Sequence, residues 1–201
     1  MAYTEVSFQD ASDIVTAAEL PNLVHLEKLS GGWTNSNYKL SLSDNTNRVL
    51  KIWDGQAFDE VNYLLSISTY LSDNGVPTPS PIPFSNGEFV IVKNDLAWTL
   101  LPFVEGTWLE PNDSSLYSLG RIQASLHLVV PPVNLKDKYS MGDSLFDKLF
   151  SIADKRNEWS DFLYMLKSEI NTLKQNIGDL PRGIIHGDLF PDNILGTNKT
   201  V

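Results

Sequence analysis

No cysteine occurs among the 201 residues, which excludes disulfides and thiolate metal sites. Histidine is scarce, with three copies set far apart (His25, His127, His186), so a zinc site built on imidazoles is not expected. Positive charge is also short: 15 Lys and Arg against 25 Asp and Glu leave a formal net charge of -10. A general nucleic-acid binder needs a basic face, and that class is set aside. The acidic balance either keeps the protein soluble or draws in a cationic acceptor through its field. Long apolar runs are missing, and none approaches the roughly 20 residues that a membrane-spanning helix requires. The opening Met1-Ala2-Tyr3-Thr4-Glu5 offers no basic segment followed by an apolar one, so no signal peptide is read there. These absences point to a cytoplasmic protein without a membrane or nucleic-acid partner, and they leave its oligomeric state open. What is present is a 42% hydrophobic composition, sufficient for a real core.

The apolar periodicity divides the chain near residue 102. Val6, Ala11, Ile14, Val15 and Ala18 predict a short packing helix over 5–20, ended by Pro21. Leu23 to Leu29 reads as a strand, and Tyr38, Leu40 and Leu42 alternate with Lys39 and Ser41 as a second. Between them lies Ser30-Gly31-Gly32-Trp33-Thr34-Asn35-Ser36-Asn37. Such a small-residue loop lets backbone N–H groups and hydroxyls approach phosphates closely. It is neither Gly-x-Gly-x-x-Gly nor a P-loop, and as a bare pattern it is a hairpin connection. Arg48 to Trp53 predicts a third strand with Lys51 between Leu50 and Ile52. Either Lys51 alternates out to solvent, or its ammonium has a partner that offsets desolvation.

Phe58 to Asn74 then has helical spacing and is closed by Gly75 and Pro77. Glu60 in its first turn suits the helix dipole, and it also stands where a carboxylate could reach Lys51. Ser85-Asn86-Gly87 turns a hairpin ahead of Phe89–Val92, and Leu96 to Leu101 is the fifth strand. The first hundred residues should therefore be a five-stranded antiparallel sheet with one helix. Beyond Pro102 the period becomes helical. Ser114–Val129, capped by Asp113 or Ser114, and Trp159–Ile177 predict helices, with His127 as a hydrogen-bonded core residue. Residues 131–157 carry mixed signals.

A dense polar loop follows the last helix: Ile184-Ile185-His186-Gly187-Asp188-Leu189-Phe190-Pro191-Asp192-Asn193-Ile194-Leu195. Its skeleton is His-x-Asp-x-x-x-x-Asn between two apolar pairs. That spacing suits a phosphoryl-transfer loop, in which the Asp lies beside the attacking hydroxyl and the Asn holds Mg²⁺. Gly-Asp and Pro-Asp-Asn also serve as ordinary turn residues.

Taken in order, these elements resemble the aminoglycoside phosphotransferase and choline kinase-like superfamily, the small-molecule relatives of protein kinases. Gly32 to Tyr38 and the loop 186–193 look most like its homoserine kinase-type branch. The resemblance covers nearly the whole chain and implies an α+β, two-lobed protein-kinase-like fold. Residues 1–101 would be the nucleotide-binding lobe, and 102–201 the hinge and an incomplete helical lobe. It further implies that Asp188 is the catalytic base and Asn193 a Mg²⁺ ligand. Lys51, held by Glu60, would contact the α/β-phosphates of ATP, and Gly32, Thr34, Asn35 and Ser36 would cover them. Pro102 to Val104 would lie beside adenine. The implied reaction moves the γ-phosphoryl of MgATP to a hydroxyl of a small molecule, with homoserine the leading acceptor. Choline, ethanolamine or an aminoglycoside are the alternatives, as is a non-catalytic kinase-like module. The superfamily's second metal-binding Asp, in an Asp-Phe-x motif, has no counterpart after Asn193. A C-terminally truncated polypeptide, with little or no activity by itself, is therefore expected.

Overall fold

A computed structural model describes residues 3–30, 35–136, 143–176, 178, 183–190 and 193–196. Five strands form one antiparallel sheet: β1 (Leu23–Lys28), β2 (Ser36–Leu42), β3 (Asn47–Trp53), β4 (Ile91–Lys93) and β5 (Leu96–Pro102), in the order β1-β2-β3-β5-β4. The strand expectations hold to within a residue or two. The tight links are chemically specified. Asn94 and Asp95 both take positive φ (52° and 60°) between the paired Lys93 and Leu96, as a two-residue hairpin twisted like its strands requires. Gly87, at φ 83°, donates its N–H to Phe84 O at 2.8 Å in the expected Ser85-Asn86-Gly87 turn.

Two helices, not one, cover the sheet, and strand alternation assigns each its face. Even-numbered residues of β2 and β3 (Tyr38, Leu40, Leu42, Leu50, Ile52) join Trp98 and Leu100 of β5. Against them α1 (Phe8–Ala17) buries Ala11, Ile14 and Val15. Ser7 caps α1 by accepting from the Asp10 N–H at 3.1 Å, and Lys93 of β4 pairs with Asp10 at 2.5 Å. On the opposite face, Trp53 and Ala97 pack with Val61 and Leu65 of α2 (Phe58–Asp73). Gly75 ends α2 at φ 80°, donating to Ser72 O, while Val76 donates back to Leu71 O.

The chain clusters into two compact units, Met1–Val129 with Ile184–Val201, and Val130–Gly183. The first also holds α3 (Asp113–Leu128) and a two-stranded ladder of β6 (Thr107–Trp108) with β7 (Leu195–Gly196). The α3 cap is Asn112, not Asp113 or Ser114. Its side chain accepts from the Ser115 N–H at 3.1 Å, and Ser115 Oγ accepts from the Asn112 N–H in return. His127 is exposed rather than in a core, because Leu126 and Val129 take the buried stripe of α3. The second unit holds α4 (Asp143–Arg156), within the segment whose sequence signals were mixed, and α5 (Asp161–Asn176). Phe150, Trp159 and Tyr164 stack there, and Trp159 Nε1 donates to Asp154 at 2.9 Å.

Candidate active site

Register places the lysine. Lys51 is paired with Asn37 on β2 and with Thr99 on β5. As an odd-numbered residue of β3 it lies on the α2 face of the sheet, one step from Trp53 and one from Val49. Neither reading of Lys51 from sequence describes its surroundings fully. The side chain is half-buried, and its ammonium sits 3.8 Å from the centroid of the Trp53 indole. Desolvation lowers its pKa from an ordinary 10.5 to about 8. The expected carboxylate is not beside it. Among the described residues no ion pair joins Lys51 to Glu60, and Glu60 is exposed. The helix phase explains this. Burying Val61 and Leu65 in α2 turns the adjacent position, Glu60, roughly 100° away from the packed stripe.

Of the residues expected to cover phosphates, Gly32 and Thr34 lie outside the described residues, and Asn35 is half-buried at the mouth of β2. Ser36 is corrected to a different job. It is fully buried, its Oγ donates to Asp54 Oδ2 at 2.6 Å, and it accepts from the Thr4 N–H at 2.8 Å. Thr4 Oγ1 donates to the other Asp54 oxygen at 2.6 Å. Alternation dictates the outcome, since Ser36 shares the inward face with Tyr38 and Leu40. Nearby, Tyr3 OH accepts from the Asn37 N–H at 2.7 Å and reaches Leu29 O at 3.3 Å. The N-terminal segment thereby bridges the two strands at the base of the small-residue loop. The sequence held a signal for Asp54, a carboxylate directly after an apolar strand, but nothing in its pattern linked it to Thr4.

At the far end of β5, Pro102 is the last strand residue and the register partner of Arg48. Val104 is 44% exposed, and its N–H donates to no acceptor among the described residues. Lys39 lies 4.4 Å over the Phe103 ring between them. The chain then turns into β6. There a Cβ on Gly106 would meet Gly196 O at 2.9 Å and Leu195 Cβ at 3.3 Å, so the close approach of β7 requires glycine at that position.

β7 is the exit of the His-Gly-Asp loop, paired as Thr107 with Gly196 and Trp108 with Leu195. Ile184 and Ile194 are buried and anchor the loop, while His186, Asp188 and Asn193 stand exposed between them. Gly187 takes φ 80°, which brings the Asp188 N–H to His186 Nδ1 at 3.3 Å. The five-residue spacing closes a ring. Asn193 Nδ2 donates to Asp188 O at 2.8 Å and to Asp188 Oδ2 at 2.9 Å. Asn193 Oδ1 accepts from no donor among the described residues. A neutral oxygen fixed beside a carboxylate is a donor set that fits a hard divalent cation such as Mg²⁺. No cluster of three or more His, Asp or Glu that could hold a metal ion occurs among the described residues.

Comparison with known proteins agrees with this architecture. Residues 25–201 match the phosphotransferase enzyme family. The homoserine kinase of Rhodopseudomonas palustris (strain TIE-1) is 26% identical over 201 residues, spanning 96% of this chain and 60% of the relative. That of Nitrobacter hamburgensis is 28% identical over 200 residues, with the same coverage. The chain thus spans 60% of the length of the curated relatives it matches. Among solved structures, spectinomycin phosphotransferase in complex with ADP and spectinomycin superposes with a TM-score of 0.70 at 15% identity, covering 98% of this chain and 67% of that one. The macrolide 2'-phosphotransferase of Brachybacterium faecium gives 0.62 at 15% identity, covering 96% and 69%. The sheet, its two flanking helices and the loop at Asp188 are therefore those of a known fold, and the chain belongs to the phosphotransferase enzyme family.

Proposed function

We propose that this chain carries the nucleotide-binding and catalytic-loop part of an ATP-dependent kinase that phosphorylates a hydroxyl of a small molecule, with homoserine as the acceptor. The observation that carries it is the Asp188–Asn193 contact, which ties an exposed carboxylate to the side-chain amide of Asn193 within one short loop. The homoserine acceptor rests on the two homoserine kinase relatives. Residues 1–101 form the nucleotide lobe in this proposal, and the chain from Pro102 onward supplies the hinge and the helical part. Val104 offers its N–H to adenine, and Pro102 its carbonyl. Lys51 contacts the α/β-phosphates, with Asn35 at the loop that lies over them.

Phosphoryl transfer needs positioning and charge neutralisation more than covalent help from the protein. Asp188 Oδ1, the oxygen not held by Asn193, orients the acceptor hydroxyl and takes its proton as the bond to phosphorus forms. Asn193 Oδ1 would hold Mg²⁺, which when bound neutralises charge developing on the phosphates. His186 fixes the loop through the Asp188 N–H and transfers no proton.

The test is ADP release from MgATP by the full-length gene product, with homoserine, choline, ethanolamine and an aminoglycoside offered in turn. Turnover on homoserine is expected. Asp188→Asn should lower kcat by about 10²–10⁴-fold while ADP affinity stays within about twofold, as befits a group that acts in the transition state. Equal losses in turnover and nucleotide affinity, or no ADP binding by the wild type, would overturn the proposal.

A further inference from the structure

Lys51 has no carboxylate partner among the described residues, yet it is not loose. Trp53, two residues along the same strand face, places its indole 3.8 Å beneath the ammonium. That ring is itself fixed. It is 8% exposed and packed with Val61 and Leu65 of α2, and its Nε1 donates to Thr99 Oγ1 at 3.0 Å. Thr99 is fully buried and is the register partner of Lys51. Ring, anchor and lysine are thus locked onto adjoining rungs of β3 and β5. An indole face attracts a cation through its quadrupole, and more strongly when the pair is partly desolvated.

We propose that Trp53 is a positioning residue for Lys51, holding its ammonium on the α2 face of the sheet at the place where nucleotide phosphates meet it. The proposal rests on the assignment of Lys51 to phosphate binding made above. A neutral π face suits this role because it orients the ammonium without neutralising it, whereas a carboxylate would compete with the phosphates for the same charge. The low lysine pKa, about 8, agrees with a cation held without a counter-charge.

The experiment compares wild type, Trp53→Leu, Trp53→Phe and Lys51→Met by calorimetry with ADP and with adenosine. NMR of the lysine ε-methylene protons follows the same four proteins. In the wild type one ε-methylene signal, absent from Lys51→Met, should lie upfield through the indole ring current and shift on addition of ADP while remaining upfield. In Trp53→Leu that displacement should vanish and ADP affinity should fall about three- to tenfold, with adenosine affinity unchanged. Trp53→Phe, which keeps a π face, should lose less than Trp53→Leu.

A wild type with no displaced lysine signal sinks the proposal. So does a Trp53→Leu protein that binds ADP as tightly as wild type. If Trp53→Leu fails to fold, shown by lost adenosine binding, the wild-type signal and its response to ADP, together with Trp53→Phe, decide. If the wild type binds adenosine but gains nothing from the phosphates of ADP, the phosphate-binding assignment of Lys51 has failed first, and the role of Trp53 goes with it.

Discussion

A lysine whose ammonium rests on an indole is partly stripped of water, and its pKa of about 8 against an ordinary 10.5 carries two consequences. Between those values the unfolded chain holds more protons than the folded one, so stability rises with pH across that window. The full cost of burying the charge is present below about pH 8. With Lys51 at the nucleotide phosphates, as proposed, binding runs the other way, because phosphates attract the protonated form. ADP affinity should therefore fall as pH is raised above about 8, by at most on the order of tenfold per unit. Adenosine affinity, and ADP affinity in Lys51→Met, should be flat over that range; calorimetry from pH 7 to 10 checks this. Ser36 makes the opposite case of a polar residue drawn into structure. Its hydroxyl satisfies a backbone donor of Thr4 and gives its proton to Asp54. Ser36→Ala should therefore destabilise by about 1–3 kcal/mol, the usual cost of orphaning buried polar partners, and leave ADP affinity unchanged. Urea denaturation beside calorimetry separates these effects, and a loss of affinity without a loss of stability would restore Ser36 to the phosphate surface.

Among the elements, the β6–β7 ladder governs how firmly the Asp188 loop is held, because Ile194 and Leu195 reach their places through it; the Leu109 N–H donates to Ile194 O at 3.3 Å. Gly106 stands 2.9 Å, measured from a would-be Cβ, from Gly196 O, which is backbone and cannot swing aside. Gly106→Ala should separate the two strands. It should cost about 1–3 kcal/mol as an overpacking change and speed exchange of the amides at 107–109 and 193–196. Hydrogen exchange checks this, and unchanged protection would contradict it. Element boundaries show where sequence sufficed. Alternation from Tyr38 to Leu42 made most of β2 legible, since its inward residues join one core, while Ser36 and Asn37 read as loop and prove to be strand. Gly75 and Pro77 marked the end of α2 because only one backbone shape satisfies the freed carbonyls there. The α4 segment escaped because Leu145, Leu149 and Ile152 remain exposed while Phe150 and Ala153 are buried, so no clean stripe separates an inside from an outside.

For the whole molecule, the part of the site that was legible lies in single segments, and the part that was not lies between segments. The five-residue gap from Asp188 to Asn193 is a local code, and it closes the ring it implies. The pairing of Lys51 with Glu60 was inferred from chain order, but helix phase decides which residue of α2 turns inward, and Val61 takes that place. Trp53 was within reach, since positions two apart on a strand share a face, yet its hold on Lys51 depends on Thr99 from β5.

The pairing of Thr107 with Gly196 joins residues 89 positions apart, whereas the five-stranded sheet draws on residues 23–102 alone. Synthesis from the N-terminus therefore completes the five-stranded sheet long before the chain can seat Asp188. A nascent chain paused between these points would present a finished five-stranded sheet with the Asp188 loop not yet in place. Closure of the ladder around the Asp188 loop is delayed until the strand after that loop has emerged.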